Sequence, residues 1–259
     1  MKVNNIKNSF GLFAKNYKKY RGEPDKKLYT HIASLLSGFK TKEKKSILDI
    51  GCGVGNSTEP LLKLKNISSV VGCDIDERMI KVAQLSAKQS HLNIQYTTAA
   101  AEKLPFEKDT FDIAISGAAF HWFATSMAMK EIKRVLKKDG IYMVFWLMNT
   151  DSTTPIGYEV YKKYTWSGIP EKLKDIDYVK NIFNQAKYND VQTIKIPVVE
   201  KSTVDQMLGL IKTNSNYSLL TKDQRKDFDV SMKNAYMKVY KKDTMITTKY
   251  DMCICWGYK

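Results

Sequence analysis

Leu48-Asp49-Ile50-Gly51-Cys52-Gly53-Val54-Gly55 is the stretch that decides how this 259-residue chain folds. Residues 46–50 are short, apolar and stopped by a glycine, which is the pattern of a buried strand. Residues 56–65 read as the helix that follows. Glycines between strand and helix permit a tight turn, and their missing side chains let the main chain approach a ligand closely. A helix N-terminus beyond such a turn offers free N–H groups and the positive end of its dipole. Asp74 closes the next strand about twenty residues on, where a carboxylate can accept both hydroxyls of a ribose.

The same residues separate rival ligands. A dinucleotide fingerprint, Gly-x-Gly-x-x-Gly, wants a glycine at 56, and Asn56 stands there. Asp49 is an extra acid at the strand end and serves an anionic pyrophosphate poorly. No Gly-Lys-Ser/Thr follows the turn, so a P-loop is excluded. S-adenosylmethionine carries an ammonium group and a sulfonium, and an acid suits both.

Outward from the turn, strands alternate with helices. Residues 69–73 read as a second strand, and Asp76 as the N-cap of a helix to about residue 88. Residues 92–98 are a third strand and 111–116 a fourth. A helix over 124–138 is closed by Asp139-Gly140, and 141–148 form a fifth strand. This alternation implies a parallel sheet with right-handed crossovers, covered on both faces. Beyond 148 the pattern changes. Residues 149–155 are loop-like, and 156–186 are aromatic and helical with a break at Gly168 and Pro170. A strand is expected over 191–200, helices over 202–212 and 221–241, and a hairpin or long strand over 245–258.

Composition bounds the rest. An apolar fraction of 43% suffices for one large core. The longest apolar run, 141–148, is too short to span a bilayer, and residues 1–13 lack the pattern of a signal peptide. No membrane partner is expected. Cys52, Cys73, Cys253 and Cys255 form no C-x-x-C, so the expectation is reduced thiols in a cytoplasmic protein, with no metal. Cys253 and Cys255 share a strand face, where a bridge would be strained. The formal charge is +15, but only Arg21, Arg78, Arg134 and Arg225 are arginines. Such a lysine excess lacks the arginine forks and aromatic stripe of a specific nucleic-acid binder, so nucleic acid is not expected as a partner.

Four segments together resemble the class I S-adenosylmethionine-dependent methyltransferases. Leu48–Gly55 (48–55) resembles their motif I, and Val71-Gly72-Cys73-Asp74-Ile75-Asp76 their second motif. Ala101-Glu102-Lys103-Leu104-Pro105-Phe106, with Phe111-Asp112, resembles the segment that covers the adenine. Glu131-Ile132-Lys133-Arg134-Val135-Leu136-Lys137 resembles the helix before strand five. Outside this core, Tyr17, Tyr20, Arg21 and Pro24, then Phe120-His121-Trp122-Phe123 and Ser-Asn-Tyr-Ser at 215–218, resemble the trans-aconitate methyltransferase-like group, whose members methylate small molecules.

The resemblance implies an α/β, Rossmann-like sheet of seven mostly parallel strands, helices on both faces and an antiparallel last strand. It implies one domain over 1–259, with a core at 28–148 and 187–259. Lids would come from 1–27, 149–186 and about 202–241. Asp49, Gly51, Gly53 and Gly55 would hold the methionine part of S-adenosylmethionine, and Ser116 would lie under it. Asp74 would take the ribose, Ile75 would pack on the adenine, and the Ala101 N–H would meet its edge. Ala100 departs from the usual Asp or Ser, so Glu102 or water would bond the adenine amine. Tyr17, Tyr20, Arg21, Trp122 and Trp166 would meet the acceptor. His121 is the candidate catalytic base, its other reading being an orienting or packing histidine beside Trp122.

Methyl transfer to a small molecule is the expected activity, with a carboxylic acid as acceptor, by a monomer or homodimer. Carboxylates are already ionised and need no base, whereas phenols need one. The alternatives are an RNA or protein methyltransferase and a non-catalytic cofactor-binding protein. Ser116-Gly117-Ala118-Ala119 stands where amino-group methyltransferases carry Asn/Asp-Pro-Pro-Tyr.

Overall fold

A computed structural model describes residues 10–39, 43–150, 156–164, 171–241 and 243–259. Seven strands form one sheet in the order β3-β2-β1-β4-β5-β7-β6. They are β1 (Lys45–Ile50), β2 (Ile67–Asp74), β3 (Gln95–Thr98), β4 (Phe111–Gly117), β5 (Leu136–Asn149), β6 (Asn189–Ser202) and β7 (Ile246–Tyr258). β7 runs antiparallel to both of its neighbours, and the pairs from β3 across to β5 are parallel. Strand order reverses at β1 and β4, and a ligand crevice opens at the carboxyl ends of strands at such a switch.

The alternation of side chains along the strands builds two cores. Leu48, Ile50, Ala114, Tyr142 and Val144 face one side, where α4 (Ser126–Val135) and α6 (Ile176–Gln185) cover them. Ile47, Ile113, Ile115, Met143 and Ile254 face the other, against α2 (Lys26–Ser37). α3 (Glu77–Gln89) packs Ile80, Ala83 and Ala87 on Tyr96 of β3. Its N-cap is Asp76, whose side chain accepts from the Arg78 N–H, as the sequence predicts.

A third cluster lies apart. α7 (Val204–Ile211), α8 (Ser215–Leu219) and α9 (Lys222–Val239) bury Ile211, Tyr217, Phe228 and Met232 together. Phe13, Tyr161 of α5 (Tyr158–Lys163) and Tyr164 just after it pack onto them.

Two expectations are corrected. The helix over 56–65 is a single 3-10 turn, Glu59–Lys63, with Pro60 in its first turn. Proline donates no N–H, and the Thr58 and Glu59 amides both close back on the Gly55 carbonyl. The lid assigned to 149–186 is split. α6 is part of the main core, where Phe183 stacks on Tyr142 at 5.2 Å. The segment expected as a hairpin or long strand over 245–258 takes the second form, the strand β7 inserted between β5 and β6. All four cysteines are free and buried. Among the described residues no helix is long and apolar enough to cross a membrane.

Candidate active site

The turn after β1 holds three glycines in the left-handed region, with φ of 73° at Gly51, 56° at Gly53 and 85° at Gly55. Side chains rarely adopt that region, yet the three glycines serve different ends. A Cβ on Gly51 would fall 2.5 Å from that of Ala119, and one on Gly55 would fall 2.3 Å from the Tyr96 hydroxyl. Those two keep the turn close to its own protein. A Cβ on Gly53 would meet nothing within 4 Å, so Gly53 presents bare main chain to a ligand. Its N–H donates to Asp74 Oδ2 at 2.9 Å, and the Asp76 N–H donates to Asp74 Oδ1 at 2.9 Å. Asp74 thus braces the turn from the end of β2.

Gly51, Gly53, Asp74 and Ile75 form one side of a cleft with about 730 Å³ of empty space, open solvent included. Ala101, Glu102, Met79 and the 117–119 segment line the rest, and Tyr17, Trp122 and Phe123 close the far end. Among the described residues, two carboxylates and no lysine or arginine line it, on a chain of net charge +15. That lining suits a ligand with cationic groups and opposes a pyrophosphate.

Asp49 is fully buried and lies outside the lining. Its Oδ2 accepts from the hydroxyls of Ser57 (2.8 Å) and Thr58 (2.7 Å), while Oδ1 has no partner. Burial, opposed by those two hydrogen bonds, pushes its carboxyl up to about 6 from 3.8. The folded state therefore holds this proton more tightly than the unfolded chain. Its contribution to stability is greatest below about pH 4, declines from pH 4 to 6, and is lost above. Asp49→Asn removes that titration. Its stability relative to the parent is expected to rise by up to about 3 kcal/mol between pH 4 and pH 6, read by urea unfolding at each pH. A constant difference would show that Asp49 does not titrate there.

The structure brings most of the sequence-predicted residues together. Gly51, Gly53, Asp74, Ile75, Ala101, Glu102, Tyr17 and Trp122 all line the cleft. Ser116 does not, contrary to expectation. It is fully buried, 3.1 Å from the Tyr142 hydroxyl in the core, because the alternation of β4 turns it away from the crevice. Gly55 lies beneath the turn, against Tyr96. Tyr20 also departs from its expected place and packs its ring on Gly209 of α7. Trp166 lies outside the described residues. Tyr161 and Tyr164, in the segment expected to be aromatic and helical, pack on Phe228.

Arg21 ends α1 (Ala14–Arg21). Its guanidinium lies 5.2 Å from the centre of the Tyr17 ring and donates to Thr213 Oγ1 (3.1 Å) and Asn214 Oδ1 (3.2 Å). His121 sits beside Trp122, ring centres 4.8 Å apart. Burial, and then the Arg21 charge, pushes its imidazole down to about 4. It is neutral at physiological pH and a poor base. α1 and the turn before it are tethered to the core: Lys18 Nζ pairs with Glu59 (2.7 Å), and the Gly11 N–H donates to Asp76 (2.9 Å).

Sequence reasoning missed Met79, Ala118 and Ala119. Ala118 carried a signal in its setting, since it follows β4 directly and has φ of 49°. Met79 sits one turn into α3 and is indistinguishable in sequence from a core residue.

The methyltransferase domain family matches residues 48–144, the span that holds the turn, Asp74 and the 99–102 segment. A malonyl-[acyl-carrier protein] O-methyltransferase of Halalkalibacterium halodurans is 25% identical over 81% of this chain and 80% of its own. The uncharacterized protein YafE of Escherichia coli is 31% identical over 55% of this chain and 71% of its own. A solved structure described as a type II methyltransferase, from Anaeromyxobacter dehalogenans, superposes with a TM-score of 0.64 at 16% identity, over 92% of this chain and 98% of that one. A cleft that is acidic on a basic chain, a glycine turn braced by Asp74 and these likenesses converge: the chain belongs to the class I S-adenosylmethionine-dependent methyltransferases of the small-molecule type.

Proposed function

We propose that this enzyme methylates a small carboxylic acid, forming a methyl ester. The observation that carries this reading is Arg21, whose guanidinium is held by Thr213 and Asn214 against the ring of Tyr17, a residue that lines the cleft. When bound, S-adenosylmethionine supplies a methyl group activated on sulfonium. The protein then has to hold the acceptor oxygen in line and exclude water, and much of a displacement's acceleration comes from such positioning. Thr213 and Asn214 take up some of the Arg21 donors, and the remainder can grip a carboxylate. Tyr17 and Trp122 wall the approach and desolvate the nucleophile.

The state of His121 supports the same acceptor. A base held down at about 4 draws a proton from a phenol poorly. A carboxylate has no proton to give up at neutral pH.

A panel of carboxylic acids and phenols, incubated with methyl-labelled S-adenosylmethionine and read by mass spectrometry, tests the proposal. Methyl esters and no aryl ethers are the expected products. Labelled phenols, amines or RNA would overturn it, as would binding without turnover on every acid. With an active acid in hand, Arg21→Met is expected to raise KM about a hundredfold with a smaller change in kcat, and Arg21→Lys to recover part of the loss. An unchanged KM would take Arg21 out of the acceptor site.

A further inference from the structure

We infer that the groove between α4 and α6 is a second ligand site, one that binds phosphoryl groups. It has about 1340 Å³ of empty space, open solvent included. Lys108, Lys130, Lys133, Arg134 and Lys259 line it, with no carboxylate among the lining residues. Neighbouring acids offset some of that charge. Asp109 lies 3.6 Å from Lys108 and 2.5 Å from Lys259, and Glu131 lies 2.8 Å from Arg134. Lys130 and Lys133 have no ion-pair partner among the described residues.

Lys133 is partly buried, over the Tyr188 ring at 5.0 Å. Burial, then Lys259 and Lys187, holds its ammonium below the usual range. Gathering like charges around a half-buried lysine costs stability, and a bound anion relieves it.

The donors fit phosphate. Thr125 Oγ1 already accepts from the Ala128 N–H as the N-cap of α4, which leaves its own O–H to donate. With Arg134 and Tyr178 as the only arginine and aromatic in the lining, the groove lacks the stacking platform of a nucleic-acid channel. A small phosphate ester or polyphosphate fits better.

Location ties the two sites. The groove begins at Ala124 and Thr125, directly after the Trp122 and Phe123 wall of the cofactor cleft. It runs beside α4, whose ten residues span about 15 Å. Its phosphoryl ligand has two possible sources: the far end of the acceptor itself, or a separate phosphate compound. The site stands without the carboxylate proposal; the first source rests on it.

Calorimetry with inorganic tripolyphosphate at about 50 mM salt tests the site. Parent protein is expected to take up one equivalent, and Lys108→Glu with Lys130→Glu to weaken it about tenfold or more. Lys226→Glu with Lys233→Glu, the same charge change on α9, is expected to shift it less than about twofold. No uptake by the parent, or equal loss in both pairs, would overturn the inference. For the source, matched carboxylic acids with and without a terminal phosphate are compared in the methylation assay. An acceptor tail gives the phosphorylated acid a KM lower by about tenfold, erased in the Lys108/Lys130 variant. Equal KM values with tripolyphosphate binding intact assign the groove to a separate phosphate ligand.

Discussion

A Gly53→Arg chain is expected to fold and to take up no S-adenosylmethionine. Gly53 faces open space at a φ of 56°, so the new side chain leaves the backbone without a clash at its Cβ and extends into the cleft that Gly53 lines. The left-handed backbone costs a non-glycine residue about 1–2 kcal/mol, within the roughly 5–15 kcal/mol that holds a domain folded. The guanidinium then occupies the ligand's volume beside Asp74, whose carboxylate accepts from the Gly53 N–H, and opposes any cationic ligand. Affinity is expected to fall by about a thousandfold or more, roughly 4 kcal/mol. Gly53→Ala carries the same backbone strain and little bulk, so it separates strain from obstruction. Calorimetry with S-adenosylmethionine and thermal melting by circular dichroism decide the matter. Folded Gly53→Arg protein that binds within about tenfold of the parent would move the cofactor site elsewhere.

The second large effect is expected at Asp74. Asp74→Ala removes the carboxylate that lines the cleft and also strands two amides, those of Gly53 and Asp76. Hydrogen bonds to a charged acceptor are worth about 1.5–3 kcal/mol each. Losing two to a ribose costs roughly two to four orders of magnitude in affinity, with a smaller loss of stability from the loosened turn. The comparison that identifies the cause uses S-adenosylhomocysteine, which has the same ribose and no sulfonium. Equal losses for both ligands mark Asp74 as the ribose acceptor. A loss confined to S-adenosylmethionine would mark it as a counter-charge instead, and no loss for either would remove it from the site.

These effects trace to features of unequal visibility. The β1 turn, Asp74 at the end of β2 and the Asp76 cap were legible because each depends on neighbours in sequence: a glycine tolerates a left-handed φ, and a short acid caps the helix that follows it. The helix expected over 56–65 failed on a local signal that was present, Pro60, which cannot donate to the turn before it. Tyr20 and Ser116 failed for a different reason. Both lie in segments that resemble site motifs, and only packing shows that one ring fills the space left by Gly209 and the other side chain meets Tyr142.

The sequence by itself determined the α/β class, the succession of the first five strands along the chain, the glycine turn and the placing of Asp74 at the end of β2, because hydrophobic periodicity and backbone sterics act over a few residues. Tertiary structure alone decided that β7 inserts between β5 and β6, that α6 is core rather than lid, and that Arg21 is pinned by Thr213 and Asn214. It also decided that, among the described residues of a chain of +15, no lysine or arginine lines one cleft, with Arg21 standing just behind its Tyr17 wall, while five line another groove. Charge acts through space, across residues nearly two hundred positions apart in the case of Arg21 and Asn214, and the order of residues along the chain does not record which of them become neighbours.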